Sequence, residues 1–464
     1  MDKKPNIILI TVDALRSDRL GFLGCPKNIS SNIDNLARES AVFTRAFSVG
    51  PNSPHSFPAI LTSTYPLDFQ GLYKIEKPRK ILSEVLKEHG YVTAAFHSTP
   101  YLSDFFGYNR GWDFFEYITS PVNPDFFPGQ GKLAELKLYL KDSLKGLFKK
   151  IAVNFYPKIL FKLMYRRYLP KFKEENEPQI KAVFVNKIIK DFVLAAKAKE
   201  QPFFLFAHYM DVHSPYIPKE KDLSQPLSFA EFVSAWLPGY LGYAKKRLFR
   251  NFIKPYFEMM VDSYDQGIKD LDGQLGSLFD FLKKEAVFQN SIICFTADHG
   301  EELLEHGEGF HNAKLYNELL AVPLLIKIPG QGSQKIEKKV SQIDLPSTLC
   351  ELAGIKPPAN FKGKNIFESF REIIFHESGA GSKEKMNGWI EIEKLKECKF
   401  ACQSDDWKYI LDNPLKREEL YCLEKDPKEQ NDLSKSCPEV LVKMRKIMED
   451  FQKENKPLSL LAKK

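Results

Sequence analysis

No uninterrupted apolar stretch of about 18 residues occurs anywhere in the 464-residue chain, which excludes a membrane-spanning helix. The apolar run after Met1-Asp2-Lys3-Lys4-Pro5 stops at Asp13, too short for a secretory leader with its cleavage site. Cysteine is scarce and odd in number: seven residues, none in a Cys-x-x-Cys pair, fit reduced thiols better than a disulfide framework. Cys398 and Cys402 stand closest, and a bridge between them is not expected in a reducing compartment. The expected location is the cytoplasm. Strong charge of either sign is missing too, since 67 Lys and Arg against 60 Asp and Glu leave only +7. That excess is local: residues 132–173 carry twelve Lys or Arg and two acidic residues, +10, leaving −3 for the rest of the chain. No nucleic-acid-binding motif accompanies it, so nucleic acid is not an expected partner. Disorder is excluded by a content of 43% hydrophobic and 13% aromatic residues.

What is present is organised around Ser291 to Gly307, SIICFTADHGEELLEHG. Ile292, Ile293 and Phe295 form a short apolar run of the kind found in interior parallel strands, and it leads straight into Asp298-His299-Gly300. Open α/β sheets place their chemistry at such strand ends. An Asp after a strand is also an ordinary helix cap, and Glu301-Glu302 would suit a first helical turn. A second apolar strand, Asn6 to Val12, ends in another carboxylate, Asp13. Two strands far apart in sequence, each delivering an aspartate, supply what a divalent-metal site at a sheet edge needs. Carboxylates suit calcium, magnesium or manganese, and one imidazole tilts the choice toward manganese or zinc.

Along the chain, Arg16 and Asp18 stand in a loop leading to Gly21 and Gly24, and Ile33 to Phe43 reads as a short helix. Prolines 51, 54 and 58 forbid a strand in the next segment, and Pro58 suits the first turn of a helix. Ser53 or Ser56 then sits just ahead of a helix N-terminus, as a capping residue or where an anion is welcome. Ile81 to His89 reads as a helix and Tyr91 to Phe96 as a strand, with His97 at its carboxyl end. Phe203 to Tyr209 repeats the theme, strand first and then Asp211 and His213. Tyr256 to Lys284 is an amphipathic helix whose Met260, Tyr264, Ile268, Leu271, Leu275, Leu278 and Leu282 follow helical spacing and belong to the core. Val322 to Ile328 is another strand and Ile343 to Leu352 a helix. From about Phe375 short strands and turns precede a closing helix, Pro438 to Glu454. The rhythm predicts an α/β fold with a large, mostly parallel sheet sandwiched by helices. Its catalytic domain spans residues 1–370, interrupted by insertions at about 121–184 and 219–252, and an α+β subdomain fills 371–464.

The strand ends and loops collect Asp13, Ser53, His97, Asp211, His213, Asp298, His299 and His311, more ligand-type residues than accident supplies. With NIILITVDALRSDRLGFLG, AILTSTYP, HYMDVHSPYIP, TADHGEELLEHG, HNAKLYNELLAVPLLIKIPG, DDWKYI and EELYCLEKDPKEQNDL in order, the chain resembles the sulfatase family of the alkaline-phosphatase-like superfamily. The resemblance implies that Asp13, Asp298 and His299 hold one divalent metal that also touches the nucleophile, whose position falls on Ser53. It places His213 beside the leaving-group oxygen. It makes His311, with Lys314 as rival, the basic residue that contacts substrate, and puts Arg16, His97 and Asp211 around the substrate. Two departures stand out. Many sulfatases have a second aspartate where this chain has Ala14, which removes one oxygen ligand, and the Cys/Ser-x-Pro-x-Arg signature is absent, with Phe57 in the arginine's place.

The expected activity is that of a metal-dependent, sulfatase-like hydrolase of sulfate or phosphate esters. A phosphoryl-type transferase using the same serine, a phosphodiesterase or phosphonate ester hydrolase, and a binding module without turnover are the alternatives. Expected partners are small anionic esters, saccharide or lipid-headgroup in type. In residues 132–173 an apolar stripe of Leu136, Leu140, Leu144, Phe148 and Ile151 runs beside lysines 137, 141, 145 and 149. It suits a helix on an anionic membrane surface, which would make the protein peripheral to a membrane, or an insertion packed on the main domain.

Overall fold

The computed structural model describes residues 4–70, 74–75, 77–118, 182–214, 216, 247–379 and 398–455. The basic stretch 132–173 and most of both insertions lie outside the described residues, so the membrane-surface expectation does too. Among the described residues no helix is long and apolar enough to cross a membrane.

The chain order begins with strands β1 (Asn6–Val12), β2 (Ala41–Phe47), β3 (Val92–His97), β4 (Phe114–Tyr117), β5 (Phe203–Tyr209) and β6 (Ser291–Ala297). A two-stranded hairpin, β7 (Glu302–Leu303) and β8 (Gly309–Phe310), precedes β9 (Ala321–Lys327), β10 (Gln334–Ile336) and β11 (Val340–Ser341). The main sheet runs β10-β2-β9-β6-β1-β5-β3-β4, with β11 also beside β2. In β1, Ile7, Ile8, Leu9 and Ile10 are all fully buried. Successive strand residues point to opposite faces, so the sheet is covered on both. β1 pairs in parallel with both β5 and β6, in a register that sets Val12 opposite Tyr209 and Ala297. The three strands therefore end level, and Asp13 and Asp298 leave the sheet side by side.

Among the described residues, eight α-helices follow the same order: α1 (Ser31–Ala37), α2 (Ser53–Thr62), α3 (Leu82–Glu88), α4 (Ala182–Ala198), α5 (Arg247–Lys284), α6 (Asn317–Leu320), α7 (Leu345–Leu352) and α8 (Pro438–Glu454). The seven residues of the α5 stripe, Met260 to Leu282, are all essentially buried, as their spacing requires. α5 itself starts nine residues before Tyr256.

Three local readings are corrected. The expected helix Ile33 to Phe43 stops at Ala37, and Ala41-Val42-Phe43 opens β2, where β-branched and aromatic residues pack against β9. Glu301-Glu302 starts no helix, because Glu302 enters the hairpin with β8. Pro58 lies inside α2, and Pro54 takes the first-turn position beside Ser53. Strand β9 also departs from a parallel sheet, running antiparallel to β6 and β2.

A separate antiparallel sheet, β12 (Ile374–Ser378), β13 (Lys399–Gln403), β14 (Trp407–Asp412) and β15 (Arg417–Cys422), packs with α8 into the small α+β subdomain. Its first strand braces the serine helix: Glu377 N–H donates to Val49 O at 2.9 Å, and Gly379 N–H donates to His55 Nε2 at 2.6 Å. Cys402 directs its thiol to the Met444 carbonyl.

Candidate active site

Asp298 is held by backbone on one side only. Its Oδ1 accepts N–H groups from Ala14 (3.2 Å) and His299 (2.9 Å), while Oδ2 is buried without a hydrogen-bond partner. Ala14 adopts a positive φ of 57°, and that turn brings its N–H onto Asp298. Asp13 Oδ2 accepts the Ser53 hydroxyl at 3.2 Å, and its Oδ1 is likewise unsatisfied. Ser53 is the first residue of α2, so the helix start presents its hydroxyl to the strand ends. His299 donates Nδ1–H to Gly300 O at 2.7 Å, which fixes its tautomer and leaves Nε2 as a lone pair. That atom lies 3.4 Å from Ser53 Oγ, 3.5 Å from Asp298 Oδ2 and 3.6 Å from Asp13 Oδ1.

Burial, joined by the neighbouring charge of Asp13, pushes the Asp298 carboxyl up to about 7. Burial would raise Asp13 too, but the imidazoles of His213, His208 and His299 around it outweigh burial and hold Asp13 well below the carboxylate range. Burial, then the charge of His311, lowers His299 to about 3, which keeps the imidazole neutral as a metal ligand must be. Two buried carboxylates with unsatisfied oxygens and a lone-pair imidazole fit a divalent cation, because buried charge without a partner is otherwise costly. Donor atoms of Asp13, His208 and Asp298 lie within 4.8 Å of one another, as do those of Asp13, His299 and His311.

The other expected residues divide. The His311 ring sits 4.5 Å from that of His299 and 4.9 Å from that of His213, with Nδ1 3.4 Å from Glu301 Oε2. Burial opposes its charge, yet the carboxylates of Glu301, Asp13 and Asp298 lift His311 to about 9. His213 faces it with Nδ1 on Ser214 O. Lys314, the rival, is turned away: its Nζ lies 3.0 Å from both oxygens of buried Glu302 and 3.0 Å from His306 O. The Arg16 guanidinium grips Asp18, Glu305 and the Glu301 carbonyl, which makes it a brace for the loop rather than an open anion contact. Asp211 accepts the Ala182 N–H with both carboxylate oxygens, at 2.9 and 3.0 Å, and so caps α4. His97 is fully buried, stacked on Tyr117 with Nδ1 on Thr99 O, and it belongs to neither donor group.

Two residues of the site escape sequence reasoning. His208 lies inside the apolar run of β5, and the only hint is a polar residue where an interior strand has no reason to carry one. Glu301, fully buried, orients His311 and is hidden among five acidic residues of its loop.

A mostly parallel sheet whose level strand ends carry paired aspartates, a helix-borne serine and imidazoles defines a protein of the alkaline-phosphatase-like superfamily. Within that superfamily the chain belongs to the sulfatase family, whose sequence pattern matches residues 5–355. A second pattern, the C-terminal region of N-sulphoglucosamine sulphohydrolase, matches residues 305–454. Bovine arylsulfatase K is 27% identical over 231 residues, 48% of this chain and 41% of that one, so the match spans about two fifths of the relative's length. N-acetylglucosamine-6-O-sulfatase of Bacteroides thetaiotaomicron is 22% identical over 98% of this chain and 87% of its own. In fold, the crystal structure of the phosphonate monoester hydrolase of Agrobacterium radiobacter superposes with a TM-score of 0.69 over 97% of this chain and 96% of that one, at 18% identity.

Proposed function

We propose that the protein is a metal-dependent hydrolase of anionic esters, with Ser53 as the nucleophile. The observation that carries this reading is the position of Ser53 Oγ, 3.2 Å from Asp13 Oδ2 and 3.4 Å from His299 Nε2, beside two unsatisfied carboxylate oxygens. Asp13, Asp298, His299 and Ser53 would hold the cation, which belongs to the group calcium, magnesium, manganese or zinc and would lower the serine's pKa and neutralise charge on the ester. Asp13 accepts the hydrogen bond of the Ser53 hydroxyl and orients it. His213, 4.9 Å ring to ring from His311, protonates the departing oxygen, and His311, steadied by Glu301, faces the anion's remaining oxygens. Water then frees the serine. Substrates of saccharide-ester type fit the names of the sulfatase relatives.

Phe57 favours phosphate over sulfate among these esters. It stands where sulfatases carry the arginine of the signature that directs oxidation of the nucleophile, and its ring packs at 5.0 Å against His208 instead. Ser53 is therefore expected to remain a plain serine, and metal-assisted attack at phosphorus is the better route for releasing it. Mass spectrometry of the Ser53 peptide, with a panel of aryl sulfate, phosphate and phosphonate esters, tests this. An unmodified serine with phosphorus esters preferred is expected, whereas an aldehyde mass with sulfate esters preferred overturns it. Alcohol acceptors added to the assay separate the transferase alternative, which would yield the alcohol's ester.

A further inference from the structure

His208 is fully buried at the carboxyl end of β5 and opposite Thr11 of β1, on the same face as Asp13 two residues on. Its Nδ1 lies 2.9 Å from Thr11 Oγ1, which also lies 3.5 Å from Ala207 O. Its Nε2 is buried without a hydrogen-bond partner and 3.5 Å from Asp13 Oδ2, and it is the ring nitrogen free to ligate when Nδ1–H donates to Thr11. A charge-assisted hydrogen bond would be near 2.7–2.9 Å, roughly, so this separation is long for one. It suits two donors of one ion, because bonds of about 2.0–2.2 Å place neighbouring ligands roughly 3–4 Å apart. Phe57, one helical turn beyond Ser53 on α2, packs edge-on against the His208 ring at 5.0 Å and 86° and fixes its direction. Ala14, which follows Asp13, is buried and has only a methyl group to offer.

We propose that His208 is an additional ligand of the cation held by Asp13, Asp298, His299 and Ser53, and that this second imidazole selects manganese or zinc over calcium. The inference rests on the reading of those four residues as the cation site. Calcium takes oxygen ligands, and each imidazole in the set moves the preference toward borderline transition ions.

The test uses the full chain dialysed against chelator and titrated calorimetrically with manganese, zinc and calcium. Wild type is expected to bind manganese or zinc at least tenfold more tightly than His208→Gln does, while calcium affinity changes less than threefold. Pulsed electron paramagnetic resonance on the manganese-loaded wild type is expected to count two coordinated imidazoles, falling to one in His208→Gln. A folded His208→Gln with unchanged manganese and zinc affinity, a single imidazole in the wild-type spectrum, or calcium bound more tightly than manganese overturns the proposal. Where that variant does not fold, His311→Gln decides the matter: it is expected to keep two coordinated imidazoles, and a fall to one overturns the proposal. Absence of any divalent-ion binding by the wild type would instead overturn the underlying cation site.

Discussion

Two clusters of buried charge lie within the same chain, and they are built on opposite principles. In the crevice Asp13 Oδ1, Asp298 Oδ2 and His208 Nε2 are sealed from water and have no hydrogen-bond partner. Where the C-terminal sheet meets the main domain, Lys408 and Glu429 are also fully buried, but they pair at 2.7 Å. Lys408 Nζ also donates to Asn317 Oδ1 at 2.9 Å, and Glu429 Oε2 accepts the Asn317 N–H at 2.6 Å. Next to them His306 stacks on Tyr316 at 3.6 Å, with Nδ1 on Glu318 and Nε2 on the Glu429 carbonyl. Carboxylates with no Lys or Arg beside them among the described residues leave room for an external cation, whereas Glu429, whose Oε1 makes no hydrogen bond beyond the Lys408 ion pair, is held as a clamp. The clamp has a job for the site, since it anchors both ends of the loop that carries His311.

Substitutions separate the two principles. Asp298→Asn or Asp13→Ala is expected to lower activity by about 10³-fold or more, with an unchanged circular dichroism spectrum, because charge stabilisation is lost and the fold is not. A variant of the pair that unfolds would erase the distinction. Lys408→Met is expected to do the reverse. It leaves Glu429 buried without its ammonium, at a cost of about 3–5 kcal/mol in unfolding free energy measured by denaturant titration, with kcat of the folded protein changed only a few-fold. Full stability with lost activity would assign Lys408 to the chemistry. His311→Gln should lower kcat by roughly 10²-fold and Lys314→Met by much less, since the Lys314 ammonium is engaged by Glu302. Equal losses would restore Lys314 as the substrate contact.

The smallest effect concerns pH. Burial alone would lower His306, but the hydrogen bond and charge of Glu318, with Glu429 behind it, raise it above the usual range. A histidine raised on folding contributes stability fully present below its unfolded pKa of about 6.5 and lost as pH rises through the folded value. His306→Gln should therefore cost on the order of 1 kcal/mol at pH 6 and little at pH 9, measured by denaturation at both. A loss that grows with pH would contradict the pairing with Glu318.

Sequence reasoning reached the strands that end in Asp13 and Asp298 because interior parallel strands are written as unbroken apolar runs, and it placed Ser53 by family pattern. It does not reach the direction in which a charged side chain turns. Arg16 faces Asp18 and Glu305, Asp211 faces the start of α4, and Lys314 faces Glu302. Each is a charged residue within a few positions of the site, and only its partner from a distant segment decides its direction. His208 was invisible for the opposite reason. Its neighbours in sequence are apolar, and its chemistry depends on pairing with Thr11, 197 residues away.

The central claim is that Asp13, Asp298, His299 and Ser53 form a cation site on which turnover depends. Assaying the protein after dialysis against chelator, then after adding back divalent ions one at a time, tests it most directly. Activity should vanish and return with a suitable ion while the protein stays folded throughout. Full activity in the metal-free sample would contradict the account.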